Sequence, residues 1–133
     1  MLIIHHVQIE DLDRETAYAI SGPPNCSRAM LAARLITEGR YERVAQVDLR
    51  ATSHGLETAY TLTQNLDGPG WSREPPMGLI PIEPAMFFDS GKIWGRRSTM
   101  IGDVIEYQGQ DGPLQRFVVD WAGFTPIPST TEA

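Results

Sequence analysis

The sequence predicts an α+β domain: a mostly antiparallel sheet of five to seven short strands with one main helix, at about residues 27–38. Short runs rich in β-branched and aromatic residues recur between Gly, Pro, Asn and Asp clusters, as strands separated by turns do. A single stretch, SRAMLAARLITE, is composed of good helix formers with capping residues at its ends. The chain has 133 residues, 41% of them hydrophobic, which is enough for one cored domain without metal or disulfide help. Residues 1–125 are expected to form that domain, and 126–133 a frayed tail.

Leu2 to Ile9 reads as a first strand, ended by the acidic stretch Glu10 to Glu15. Tyr18-Ala19-Ile20 reads as a short second strand, closed by Ser21-Gly22-Pro23-Pro24. The helix follows, with Asn25 or Ser27 as N-cap and Gly39 where a left-handed residue is wanted. Its apolar face is expected from Met30, Leu31, Ala33 and Leu35, with Arg28, Arg34 and Glu38 facing water. Tyr41 to Leu49 and Glu57 to Thr63 read as a hairpin, the latter because Thr58, Tyr60 and Leu62 alternate with Ala59, Thr61 and Thr63. Asn65 to Pro84 holds five of the ten prolines and is expected as an ordered loop or extended connection. Met86-Phe87-Phe88, a turn at Asp89-Ser90-Gly91 and a C-terminal two-strand unit complete the chain. In that unit Gly102 beside Asp103 suits a tight turn at positive φ, with the carboxylate accepting backbone N–H bonds. Ser98 and Thr99 suit local capping.

Charge narrows the function classes. A formal charge of −6 and a pI near 4.9 disfavour unspecific attachment to polyanions, which depends on Lys and Arg. Ten of the eleven basic residues are Arg and only Lys92 is Lys, a skew of composition rather than of chemistry. A single cysteine, Cys26, excludes an internal disulfide and fits a reducing compartment. No apolar run approaches the roughly 20 residues of a membrane span, and the N-terminus lacks a leader pattern. A cytoplasmic protein is expected.

The run Arg97-Ser98-Thr99-Met100-Ile101-Gly102-Asp103-Val104-Ile105-Glu106, followed by a strand ending Val118-Val119-Asp120-Trp121-Ala122-Gly123-Phe124, resembles the C-terminal half of YodL-like and related small domains. Those domains are carried by plasmids, integrative elements and phages. They show R-S-x-S-V-G-D-V-I and then a strand ending in G-F. The chain matches the Ser, the Gly-Asp-Val-Ile and the Gly-Phe, and departs at Met100, where the family more often has Ser. Upstream, Tyr60-Thr61-Leu62-Thr63-Gln64-Asn65-Leu66-Asp67 with Trp71 is similar to a Y-x-L-T-N-x-I-D-x-x-W segment of mobile-element proteins. The resemblance spans roughly residues 58 to 124 and implies a mobile-element origin. It brings no biochemical activity to these positions.

The chemical candidates are each outweighed by a structural reading. Adjacent His5 and His6 point to opposite faces of a strand and cannot chelate one metal. Cys26 precedes a helix, where the dipole favours a thiolate, but no nucleophile signature surrounds it. The carboxylate pairs Asp11 with Asp13 and Asp103 with Asp120 are of a kind that arises by chance among acidic residues. No phosphate loop, nucleophile elbow or zinc-protease helix is present. No cofactor and no metal are therefore expected, and Ser98, Thr99, Gly102, Asp103 and Gly123 are read as structural turn residues.

A surplus of aromatics remains. Trp71, Phe87, Trp94 and Trp121, with Arg96 and Arg97, are read as an interaction surface, since Trp and Arg dominate interface hot spots. The expected function is non-enzymatic binding of a protein partner, in the manner of an anti-CRISPR or anti-restriction inhibitor of a host defence nuclease. One alternative is a nucleic-acid-binding accessory factor using Arg28, Arg34, Arg40 and Arg43. Another is a small hydrolase. An edge strand at Leu2 to Ile9 would also allow a homodimer.

Overall fold

The structure is a computed structural model and describes residues 1–25, 27–66, 68–109 and 114–128. Among these residues eight strands run in chain order as β1 (Leu2–Val7), β2 (Tyr41–Val47), β3 (Leu79–Pro81), β4 (Met86–Asp89), β5 (Lys92–Gly95), β6 (Val104–Tyr107), β7 (Gln115–Asp120) and β8 (Gly123–Pro126). Helices α1 (Arg14–Ser21) and α2 (Arg28–Thr37) lie between β1 and β2, and α3 (Ser53–Leu62) between β2 and β3. Six strands form one antiparallel sheet in the order β3-β2-β1-β6-β7-β8, while β4 and β5 pair only with each other. The architecture is α+β, as expected, but with three helices rather than one.

Strand β1 is central because its sequence, LIIHHV, is apolar on both faces. Leu2 and Ile4 face a core with Leu56 and Ala59 of α3 and with Trp71, whereas Val7 joins Ile20 of α1 and Ala32 and Leu35 of α2. Both faces of the sheet are thus covered, and hydrophobic strands buried on two sides lose the clean alternation of a half-exposed sheet. The β1–β2 register shifts between Ile4 and His5, so that Ile4 opposes Ala45 and His5 opposes Arg43. The bulge leaves Val44 without a direct partner and turns the two strands together.

Several expectations are corrected here. Tyr18-Ala19-Ile20 lies in α1, not in a strand, because Asp13 caps the segment by accepting the Thr16 N–H at 3.2 Å. Glu57 to Leu62 likewise belongs to α3, with Thr63 as its C-cap. Thr52 caps it through the Gly55 N–H, and the residues it buries, Gly55, Leu56 and Ala59, lie at helical spacing. The apparent alternation at Thr58, Tyr60 and Leu62 was incidental. Helix α2 buries Arg28, Ala32, Ala33 and Leu35, while Met30 is exposed. The domain also runs past residue 125: Pro126 closes β8 and the Ile127 N–H donates to the Arg116 carbonyl. Of the expected tail, 129–133 lie outside the described residues.

A homodimer through β1 is also overturned. That strand is paired on both sides, and the sheet edges are β3 and β8. Both edges are short and end in proline, Pro81 and Pro126, which lacks an N–H and blunts further pairing.

Candidate functional site

Two segments far apart in sequence, one running from Thr63 to Ser72 and the other 96–99, are stitched together in space. Residues 96–99 form a strap laid across the segment from Thr63 to Ser72. The Thr99 N–H donates to the Thr63 carbonyl, Gln64 Nε2 to the Thr99 carbonyl, and the Asn65 N–H to Ser98 Oγ. Asn65 Nδ2 donates to the Arg96 carbonyl, Trp71 Nε1 to the Arg97 carbonyl at 2.9 Å, and the Arg96 N–H to Ser72 Oγ. The Arg96 N–H and the Arg96, Arg97 and Thr99 carbonyls of this irregular strap thus find side-chain partners, which is what allows non-repetitive chain to be buried.

Asp103 ties the strap to the sheet. Its carboxylate accepts the Val7 and Met100 N–H groups at 2.8 and 2.7 Å and both terminal nitrogens of Arg97 at 2.7 and 2.9 Å. Burial pushes the Asp103 carboxyl up, opposed by Arg97 and the two amides. Arg97 also donates to the carbonyls of Val7 and Ser98. Gly102 turns the chain before Asp103 at φ 100°, and a β-carbon there would lie 2.6 Å from the Ile20 carbonyl oxygen. Gly123 turns β7 into β8 at φ 105°. His6 Nε2 lies 3.0 Å from Thr99 Oγ1, with its ring edge-on to Trp71. Burial, reinforced by the charges of Arg97, Arg96 and His5, holds His6 neutral, down to about 2. Ser98 Oγ and Thr99 Oγ1 are thus both hydrogen-bonded, and the Asp103 carboxylate is satisfied by four donors.

Two of the residues assigned to an interaction surface are therefore not on it. Trp71 is only 3% exposed and serves as a core residue with a donor tip. Arg96 is buried too, paired through both terminal nitrogens with Glu42 at 3.1 and 2.9 Å. The Phe87 ring lies 5.3 Å from its guanidinium carbon, a cation–π contact. Arg97 is half-buried. Trp121 is exposed, but it sits at the β7–β8 turn, donating to the Gly22 carbonyl, apart from the others.

The β4–β5 hairpin is the exposed part of the group. Ser90 and Gly91 both adopt positive φ, the geometry of a two-residue hairpin turn. Phe87 opposes Trp94 and Phe88 opposes Ile93, so each face of this ribbon carries an apolar pair. All four side chains are exposed, Phe88 at 78% and Trp94 at 52%. At the foot of the hairpin a 380 Å³ cleft is lined by Phe87, Arg96, Arg97, Glu42 and Glu10. Sequence reasoning missed Met86, Ile93, Glu10 and Glu42. A signal for Met86 was present: three consecutive apolar residues, Met86-Phe87-Phe88, cannot all face one core from a strand.

The remaining candidates dissolve or fall elsewhere. Arg28 has no exposed surface; it donates to the carbonyls of Ile20, Gly22 and Pro23 and pairs with Asp120. It cannot meet a phosphate, and Arg34 and Arg40 both lie against Glu38. Asp13 caps α1, and Asp103 and Asp120 answer different arginines, so neither carboxylate pair forms a site. Among the described residues no group of three or more His, Cys, Asp or Glu could hold a metal ion. Cys26 lies outside the described residues. Among the described residues no helix is long and apolar enough to cross a membrane.

Comparison of the chain with protein-family models, curated proteins and solved structures returns no match. The functional reading rests on the residues themselves.

Proposed function

We propose that the protein is a non-catalytic binding module that docks on another protein through the β4–β5 hairpin and the cleft at its foot. The observation that carries this reading is the hairpin itself, which is unpaired to the main sheet and exposes apolar side chains on both faces. A lone two-stranded ribbon is marginal in water, and clustered exposed aromatics mark interaction sites. The occupant is a protein whose surface is basic as well as apolar. Glu10, Asp11, Asp13 and Glu15 are all exposed about the start of α1, with Arg14 the one cation among them, and Glu10 shares the cleft lining with Phe87. Such a surface is complementary to the nucleic-acid site of a DNA-processing enzyme. Together with the mobile-element resemblance, this favours inhibition of a host defence nuclease of the restriction or RNA-guided type.

DNA cleavage by such nucleases, assayed with added protein, tests the reading. Inhibition is expected to weaken with salt, as charge-assisted association does. It should fall by about 30-fold or more in Trp94→Ala, the scale of a hot-spot truncation. Full potency in a Phe88→Ser/Trp94→Ser double variant of native fold would overturn the assignment to the hairpin. Failure of the wild-type chain either to inhibit or to co-elute with any such nuclease would overturn the nuclease reading.

A further inference from the structure

The opposite side of the sheet holds a second cavity, of 220 Å³, beyond the C-terminal end of α2. The strand registers assemble it. His5 opposes Arg43 on β2, and Glu106 of β6 opposes Arg116 of β7. Gly39, at φ 73°, turns the chain away after α2 and leaves these side chains uncovered.

The donor and acceptor inventory of this cavity does not balance. Glu106 is its one carboxylate, buried, and its acceptor capacity is spent internally. Oε2 accepts from Gln108 Nε2 at 2.7 Å, and Oε1 lies 3.4 Å from Arg116 Nε and 3.1 Å from His5 Nε2. The His5 imidazole, then Gln108 and Arg116, hold this carboxyl down to about 2 against the cost of burial. The donors are in surplus. His5 Nε2 lies 3.1 Å from Glu106 Oε1, off the line of a full hydrogen bond, and has no partner besides that carboxylate. Among the described residues, Arg43 makes no ion pair and the terminal nitrogens of Arg116 have no acceptor. Arg43 is exposed and Arg116 partly so, and guanidinium donors that face a pocket without a protein acceptor suit a ligand that supplies acceptors only.

We infer that this cavity is a binding site for a small oxyanion, held by Arg43, Arg116 and His5, with Glu106 fixing the orientation of the last two. Its volume is below the roughly 300–1,000 Å³ of drug-sized sites, so the occupant is a phosphate or a small carboxylate rather than a nucleotide. The concentration of cationic donors in a chain of net charge −6 makes the site local and selective. It shares no residue with the hairpin, and it stands or falls independently of the proposed docking.

Titration with inorganic phosphate and, separately, with acetate, each against sodium chloride at matched ionic strength, tests it by NMR of the histidine ring protons. A saturable shift of the His5 signals is expected with at least one of the two anions. Whichever competes more strongly identifies the oxyanion. Arg43→Gln, an exposed position whose loss leaves the fold intact, should raise the dissociation constant about 10-fold or more, the loss of one charge-assisted pair. Arg116→Gln, checked for an unchanged amide spectrum, should do the same. No saturable shift at His5 with either anion, or an Arg43→Gln response equal to wild type, would overturn the site.

Discussion

His6 shows how a single residue can be set by what surrounds it. Trp71 meets its ring edge-on and Thr99 lies at Nε2; the Asp103 carboxylate, 3.9 Å from Nε2, is already taken up by Arg97, and the Arg97 and Arg96 guanidiniums oppose a further positive charge. The folded state therefore keeps it neutral, with its pKa lowered from 6.5 to about 2. Between those values the unfolded chain binds a proton that the folded chain refuses. Stability is therefore fully present above pH 6.5 and lost as pH falls below it. The loss amounts to up to about 1.4 kcal/mol per pH unit from this one group. Asp103, pushed up by burial, works in the opposite sense, so the measurement must isolate His6. Urea unfolding of wild type and His6→Gln at pH 7 and pH 5 does so. The wild type should lose about 2 kcal/mol more than the variant over that interval, and equal losses would mean that His6 is charged in the fold.

Elements were legible in the sequence where their signal is local. The α2 helix, the Gly102-Asp103 turn and the C-terminal strand pair follow from composition and turn chemistry within a few residues. Helices α1 and α3 were not legible as helices. Each is short, and Tyr18-Ala19-Ile20 and Thr58 to Leu62 contain the β-branched and aromatic types that strands share, so only the capping bonds of Asp13 and Thr52 decide between the two. The site was harder still. That Trp71 and Arg96 are buried depends on hydrogen bonds between residues 63–72 and 96–99, partners that no spacing rule connects. Glycine turns give an element-scale test of how tightly these pieces are joined. Gly39 and Gly102 both have positive φ, but a β-carbon meets open space at Gly39 and the Ile20 backbone at Gly102. Gly39→Ala should cost about 1–2 kcal/mol, from conformation alone. Gly102→Ala should cost more, since α1 or the turn must also move. Denaturation midpoints compare the two, and equal losses would show that α1 yields freely at Ile20.

At the scale of the whole molecule, stability and recognition are assigned to different parts. The sheet is built outward from β1, which has paired neighbours on both sides and helices over both faces. The β4–β5 hairpin has neither; it is held at its base by Arg96 against Phe87 and by the Arg73 contact to the Ile93 carbonyl. Local opening of such a ribbon requires little burial to be undone, whereas exposing β1 requires unfolding the core. Hydrogen exchange should therefore be graded: β1 and β6 amides exchange only through global unfolding, and the β4–β5 amides exchange faster by about 100-fold or more. A ribbon poised in this way can adapt to a partner, and docking should bring new protection concentrated on residues 86–95. If those amides exchange as slowly as β1 in the free protein, the hairpin is already locked in place. Its exposed aromatics would then meet a partner as a preformed face, and no ordering step would accompany binding.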